Sequence, residues 1–198
     1  MKKFELSIGL IAILAIVLKI LNIPGGSLLT VLAFLTLSIF YYLSFALFNG
    51  IRLREIFKSA AYKDTNAKRI IGAVGLGFAL SAILMGALFK LEFWPGGTIQ
   101  LKIGLVITGV ILVIATIFYN RNKIEYYRRI FKRIAIIGGL GLILYLTPTT
   151  TLVDIYYRNN PDYADLFKRV LADPDNQELS EELEDKREEM YEQNFRDE

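Results

Sequence analysis

The chain has 198 residues, 54% of them hydrophobic, with a mean hydropathy of +0.40, which leans away from an ordinary soluble domain and toward a membrane. It contains neither Cys nor His, which excludes disulfides, thiolate nucleophiles, Cys-ligated metals and imidazole triads, and removes most zinc and haem sites. The net charge of +3 conceals two opposite halves: residues 1–153 hold 17 Lys and Arg against 5 Asp and Glu, whereas residues 154–198 hold 6 against 15. The basic residues sit between apolar runs rather than in a patch, so the expected partner is the lipid bilayer and not nucleic acid.

A hydrocarbon core of ~30 Å needs about 20 apolar residues as helix, because lipid leaves no backbone group satisfied from outside. Five runs approach that length, at residues 4–21, 27–48, 70–89, 99–119 and 134–153. They predict an all-α, polytopic membrane helical bundle of about five spans over residues 1–153, followed by a short acidic helical tail over 154–198. Met1, Lys2 and Lys3 ahead of an apolar run also fit a secretory leader, but Lys19 closes the run and no small-x-small cleavage site precedes Asn22, so the first run is expected to stay. The fifth run is interrupted by Pro148 and by Thr147, Thr149, Thr150 and Thr151, which predicts a kinked or short span.

Lys and Arg in short loops are retained in the cytoplasm. Arg52, Arg54, Lys58, Lys63, Lys68 and Arg69 lie between the second and third runs, and Arg121, Lys123, Arg128, Arg129, Lys132 and Arg133 between the fourth and fifth. With Lys2 and Lys3 they define one side, so the expectation is a bacterial inner-membrane protein with a cytoplasmic N-terminus. An odd number of spans then puts the acidic tail in the periplasm, whereas a fifth run that only dips into the membrane leaves it in the cytoplasm.

The two turns on the other side repeat each other. Lys19, Pro24, Gly25, Gly26 and Ser27 recur 71 residues later as Lys90, Pro95, Gly96, Gly97 and Thr98, with Trp94 added in the second copy. Each copy joins two apolar runs, so the first four are expected to form tandem hairpins. In each turn Lys complements a helix C-terminus and reaches toward water, Pro stops the helix, and the glycines permit a tight reversal. Phe93 and Trp94 suit the interfacial aromatic belt. The third run carries Ala73, Gly77 and Ser81 at four-residue spacing, a stripe that lets helices approach closely in lipid.

Ion coupling calls for an ionisable group at depth, and the five acids before residue 154 all fall outside the run interiors: Glu5 at an edge, Glu55, Asp64 and Glu125 in basic loops, Glu92 in a turn. The interiors offer hydroxyls such as Thr36, Ser38, Ser44, Ser81, Thr108 and Thr116, which suit helix packing. No enzymatic constellation is present, and no cofactor or metal is expected.

The string Gly86-Ala-Leu-Phe-Lys-Leu-Glu-Phe-Trp-Pro-Gly-Gly-Thr98, followed by Gly104-Leu105, resembles the membrane hairpin of GldL-like proteins, the inner-membrane motor subunits of gliding motility and type IX secretion in Bacteroidota. The likeness covers residues 70–120 and, more faintly, 5–48. It implies an N-inside hairpin with Trp94-Pro95-Gly96 facing the periplasm. The family places a His where this chain has Phe93 and a membrane-embedded Glu where it has Thr108, with Leu37 at the corresponding position of the first hairpin. The family also has two spans and a long cytoplasmic extension. The resemblance therefore implies the hairpin without the motor carboxylate.

In the tail, Asn160-Pro161-Asp162 predicts a helix start and Asp173-Pro174 its end, and Ser180 is the expected N-cap of a second helix. The functional expectation is a non-catalytic accessory or scaffold component of an envelope complex, associating with other envelope proteins or with itself. The alternative is a small transporter or channel.

Overall fold

The computed structural model describes residues 2–21, 23–43, 48–49, 51, 53–55, 58–63, 65, 67–122 and 125–196. Asn22, Arg52, Asp64, Lys123 and the stretch 44–47 of the second apolar run lie outside the described residues. The described residues form eight α-helices: α1 (Lys2–Ile20), α2 (Gly26–Tyr42), α3 (Ala67–Leu91), α4 (Gly97–Asn122), α5 (Glu125–Leu146), α6 (Thr149–Tyr156), α7 (Pro161–Ala172) and α8 (Gln177–Arg196). Two short 3-10 turns, Leu53–Glu55 and Ser59–Tyr62, lie between α2 and α3. The chain divides into two compact units, one of residues 1–19 and 23–146, the other of residues 20–22 and 147–198.

In the first unit, α3 packs most extensively on α4 and next on α2, and α5 also touches α3 and α4. Leu76, Ala79, Leu80, Ile83, Ala87 and Leu88 of α3 are fully enclosed. In lipid, helices gain little from hydrophobicity against one another and associate through close van der Waals contact. Glycines supply that contact. A Cβ on Gly86 would lie 2.6 Å from the Leu101 backbone nitrogen, and one on Gly104 would lie 2.9 Å from the Ile83 nitrogen and 3.1 Å from the Ala79 carbonyl oxygen. A Cβ on Gly141 of α5 would strike Cγ2 of the same Ile83.

α4 buries only the face of Leu101, Gly104, Thr108 and Ala115, and leaves Ile103, Val106, Val110, Val113 and Ile117 exposed. α1 likewise buries Ile8, Ala12 and Ala15 and exposes Leu6, Leu10, Ile13 and Leu14. Apolar surface of this extent belongs against lipid rather than water.

Among the described residues, five spans are not what the helices provide. Arg69–Leu91 and Gly97–Arg121 are each long and apolar enough to cross a membrane, and a third crossing is reached only if Glu125–Leu146 and Thr149–Tyr156 count as one broken span. The reasons are local. α1 has 19 residues but carries Lys2, Lys3, Glu5 and Lys19. α2 has 17 residues, a rise of about 26 Å that falls short of the ~30 Å core. The fifth run is cut at Thr147–Pro148, where α5 ends and α6 begins. α5 also starts earlier than expected, at Glu125, and takes a π-helical turn over Ile134–Gly138. The expected loop between the fourth and fifth runs is therefore largely helix.

In the second unit, α7 packs on both α6 and α8. Tyr157, Tyr163 and Phe167 form an aromatic cluster with ring centroids 4.6–6.1 Å apart. α7 begins at Pro161, as Asn160-Pro161-Asp162 predicts. α8 begins at Gln177 rather than after Ser180, because the Asn176 side chain accepts the Leu179 N–H at 3.2 Å and so caps the helix four residues earlier. Lys168 bridges Asp154 at 2.8 Å and Asp165 at 2.7 Å. Those hydrogen bonds, to Asp154 first and Asp165 second, hold its ammonium above the ordinary lysine range. The bridge is thus intact below that range and fails as pH rises through the raised value.

The Ile83 contacts yield a stability prediction. Gly104→Ala forces α4 off the α3 backbone and is expected to cost about 1–3 kcal/mol, whereas Gly109→Ala, whose Cβ meets nothing within 4 Å, is expected to be neutral or slightly stabilising. Thermal unfolding of the purified chain in detergent measures both.

Candidate functional site

The two sequence-related turns share one geometry. After α1, the Ile23 N–H donates to the Leu18 carbonyl at 2.9 Å and the Leu29 N–H to the Gly25 carbonyl at 2.9 Å. After α3, the Trp94 N–H donates to Phe89 at 2.7 Å and the Gln100 N–H to Gly96 at 3.0 Å, each atom 71 positions further on. Gly25 and Gly96 adopt left-handed φ angles of 84° and 85°, which a Cβ disfavours. Gly26 and Gly97 are needed for a different reason: a Cβ on Gly26 would lie 2.7 Å from the Lys19 nitrogen, and one on Gly97 would lie 2.7 Å from the Lys90 nitrogen. Pro24 and Pro95 precede these glycines and are exposed. Trp94 is 45% exposed with its ring edge-on to Phe89 at 5.3 Å, and Phe93 takes a positive φ of 57°.

The lysines differ. Lys19 does not extend into water. Its ammonium donates to the Leu91 carbonyl at 2.6 Å and pairs with Glu92 at 2.7 Å, with the Phe93 ring 5.9 Å away. It thereby caps the last turn of α3 and ties the first turn motif to the second. Lys90 is 4% exposed and makes no ion pair among the described residues.

At the other end of α1, a second charged cluster forms. Arg133 Nη2 meets Glu5 Oε2 at 2.6 Å and Nε meets Oε1 at 2.8 Å, a bidentate fork. The Tyr41 hydroxyl donates to the same carboxylate, and the Phe48 ring lies under the guanidinium at 5.2 Å. Phe4 of α1 also packs on Phe40 of α2, with centroids 5.5 Å apart. Glu5 and Arg133 side chains are 18% and 11% exposed, so neither is the surface charge that an edge or loop position suggests. The sequence signal was present but unspecific: one acid at the start of the first apolar run and one cation at the border of the fifth.

Between these ends the polar groups are hydroxyls. Ser38 of α2 and Ser81 of α3 hydrogen-bond through their hydroxyls at 2.7 Å, so Ser81 meets a helix of the same chain. Ala73, Gly77 and Ser81 are all buried on α3. Thr30, Thr36 and Thr116 each return their hydroxyl to the carbonyl four residues earlier. Thr108 is 4% exposed, and its buried Oγ1 has no hydrogen-bond partner among the described residues. Its methyl lies 3.9 Å from where a Cβ would sit on Gly138, in the π turn of α5. Among the described residues, no group of three or more His, Cys, Asp or Glu is placed to hold a metal ion.

Among the described residues these features define an all-α membrane protein with two to three candidate spans, with the pairs Glu5–Arg133 and Lys19–Glu92 at helix ends and a tight α3–α4 hairpin at the centre. Residues 73–136 match the family described as the GldL N-terminal domain. The matched segment is 64 of the 198 residues, and it comprises most of α3, all of α4 and the first half of α5. The membrane region is thus GldL-like. No curated protein and no solved structure matches the chain.

Two predictions follow from the clusters. Gly25→Ala and Gly96→Ala are each expected to lower stability by about 1–2 kcal/mol, and by similar amounts, in thermal unfolding. Arg133→Met leaves the Glu5 carboxylate buried and unpaired and is expected to cost about 3–5 kcal/mol, whereas the double variant Glu5→Gln/Arg133→Met is expected to recover much of that loss. Equal instability of the single and double variants would mean that the pair does not govern this end of α1.

Proposed function

We propose that the chain is a non-catalytic, inner-membrane accessory or scaffold component of an envelope complex of the GldL type, the machinery of gliding motility and type IX secretion. The observation that carries this reading is the match of residues 73–136 to the GldL N-terminal domain, combined with Thr108 where that family carries its membrane-embedded Glu. A hydroxyl supplies hydrogen bonding and shape but no titratable charge at depth. Among the described residues, the buried charges Glu5 and Arg133, and Lys19 and Glu92, are committed to each other, and Lys90, buried in the last turn of α3, stands outside these pairs.

In this reading the cytoplasmic side carries the N-terminus and the basic segments that precede α3 and α5, in keeping with the positive-inside rule. The turns at Pro24 and Pro95 face the periplasm and are tandem copies of one hairpin cap. They supply Lys19, Lys90, Trp94 and the paired glycines to a common surface. Ala73, Gly77 and Ser81 serve helix packing inside the bundle, and the acidic segment 154–198 is an extramembrane arm that engages a partner. Because α1 and α4 turn broad apolar faces outward, lipid or a partner helix covers them.

Affinity purification of the tagged chain from native membranes is expected to recover envelope proteins of the gliding or secretion machinery. Reconstitution in proteoliposomes is expected to give no solute flux. Isolation without any partner, together with measurable flux, would replace this reading with a transporter or channel.

A further inference from the structure

A cleft of about 370 Å³ opens in the first unit between the segment after α2 and the starts of α3 and α5. Its size falls within the ~300–1,000 Å³ of small-molecule sites. Phe48, Glu55, Arg69, Glu125, Tyr126 and Arg129 line it. Arg69 is the first residue of one candidate span and Glu125 the first of the broken pair, so the cleft lies level with the helix ends, where a bilayer places its headgroups.

Among the described residues the charges in the wall are two guanidinium groups and two carboxylates, and one pair is formed between them. Arg129 Nη2 stands 3.5 Å from Glu125, while its Nε is buried with no hydrogen-bond partner among the described residues. Arg69 and Glu55 make no ion pair among the described residues. The Tyr126 hydroxyl donates to the Arg69 carbonyl at 3.1 Å, which fixes the start of α3 against the first turn of α5. The positive ends of both helix dipoles add to the attraction for an anion at this wall. A simple anion nevertheless leaves Glu55 facing it. A ligand with a phosphate and a primary ammonium satisfies both signs at once.

We propose that this cleft binds the zwitterionic phosphoethanolamine headgroup of a membrane phospholipid, with the phosphate on Arg69 and the Arg129 Nε–H and the ammonium on Glu55. Basic pockets beside transmembrane helices recur as lipid headgroup sites. Here the carboxylate selects the zwitterion over an anionic lipid, and the ammonium N–H groups select it over choline, whose methylated nitrogen has no donor.

The test uses the full chain, delipidated in detergent and examined by native mass spectrometry with palmitoyl-oleoyl phosphatidylethanolamine, phosphatidylcholine or phosphatidylglycerol. Free phosphoethanolamine and inorganic phosphate are included as soluble probes. Phosphatidylethanolamine is expected to bind about tenfold more tightly than either other lipid, the worth of one charge-assisted hydrogen bond. Arg129→Ala is expected to remove most of that affinity, and Glu55→Gln to abolish the preference over phosphatidylcholine. Arg129→Lys keeps the charge while losing the Nε donor, so it reports on the site if the alanine variant does not fold. Equal affinity for the three lipids, or unchanged phosphatidylethanolamine binding in both Arg129 variants, overturns the proposal. Free phosphoethanolamine binding as tightly as the lipid overturns its membrane source.

Discussion

The side chain of Ile83 is the point on which the bundle is assembled. It fills the space that a Cβ would need on Gly104 of α4, at 2.7 Å from Cγ1, and on Gly141 of α5. Because lipid tails are as apolar as the side chains, sequestering Ile83 from them yields little, and stability comes from dispersion across a close interface. Two glycines facing one β-branched residue give such an interface: the branched side chain has few rotamers to lose and the glycines let two backbones approach it. Gly86 against Leu101 repeats the device nearer the turn. α2 is added on another side of α3 through the Ser38–Ser81 hydrogen bond.

α1 has no comparable interface. Its buried face is Ile8, Ala12 and Ala15, too narrow to fix its position, so its location depends on charges at both ends. Glu5 and Lys19 are 14 residues apart, about 21 Å along the helix, and each reaches a different part of the first unit: Glu5 the Arg133 of α5, Lys19 the turn after α3. Such pairs confer register more readily than net stability, since desolvation offsets most of their attraction while an unpaired partner is heavily penalised. The two turns therefore share a backbone but not a role. The first donates a cation to the second, and Lys90, the residue equivalent to Lys19, has no carboxylate of its own among the described residues.

Much of this was legible in the sequence where the signal is local. Asn160-Pro161 located the start of α7, while the 71-residue recurrence of Lys-Pro-Gly-Gly as a hairpin cap and the small-residue stripe of α3 as a packing surface belong to the proposed reading. Counting apolar residues overestimated the number of crossings, because hydropathy does not register that α2 stops at Tyr42 or that Pro148 divides the fifth run into two helices. The polar pairings were not legible at all. Glu5 and Arg133 are 128 residues apart, and Lys19 and Leu91 are 72 apart, so nothing in either neighbourhood names the partner. The wedge at Ile83 was hidden for the same reason: Gly104 and Gly141 look like ordinary membrane-helix glycines until the helix that fills them is known.

In the proposed accessory reading, what sets this bundle apart from an energy-converting one is the environment of Thr108. It lies on the buried face of α4, and its methyl approaches Gly138, where a π turn displaces the regular hydrogen-bond ladder of α5. A carboxyl at such a position would be desolvated and poised to exchange a proton, whereas a hydroxyl stays neutral at any physiological pH. Its lack of a hydrogen-bond partner among the described residues marks a small local cost. Residues 73–136 are similar to the GldL N-terminal domain, and among the described residues the ion pairs Glu5–Arg133 and Lys19–Glu92 sit at helix ends. A membrane body built in this way holds a position and presents surfaces. In the proposed role, the work such a body contributes to a complex is the placement of its turns and its acidic arm.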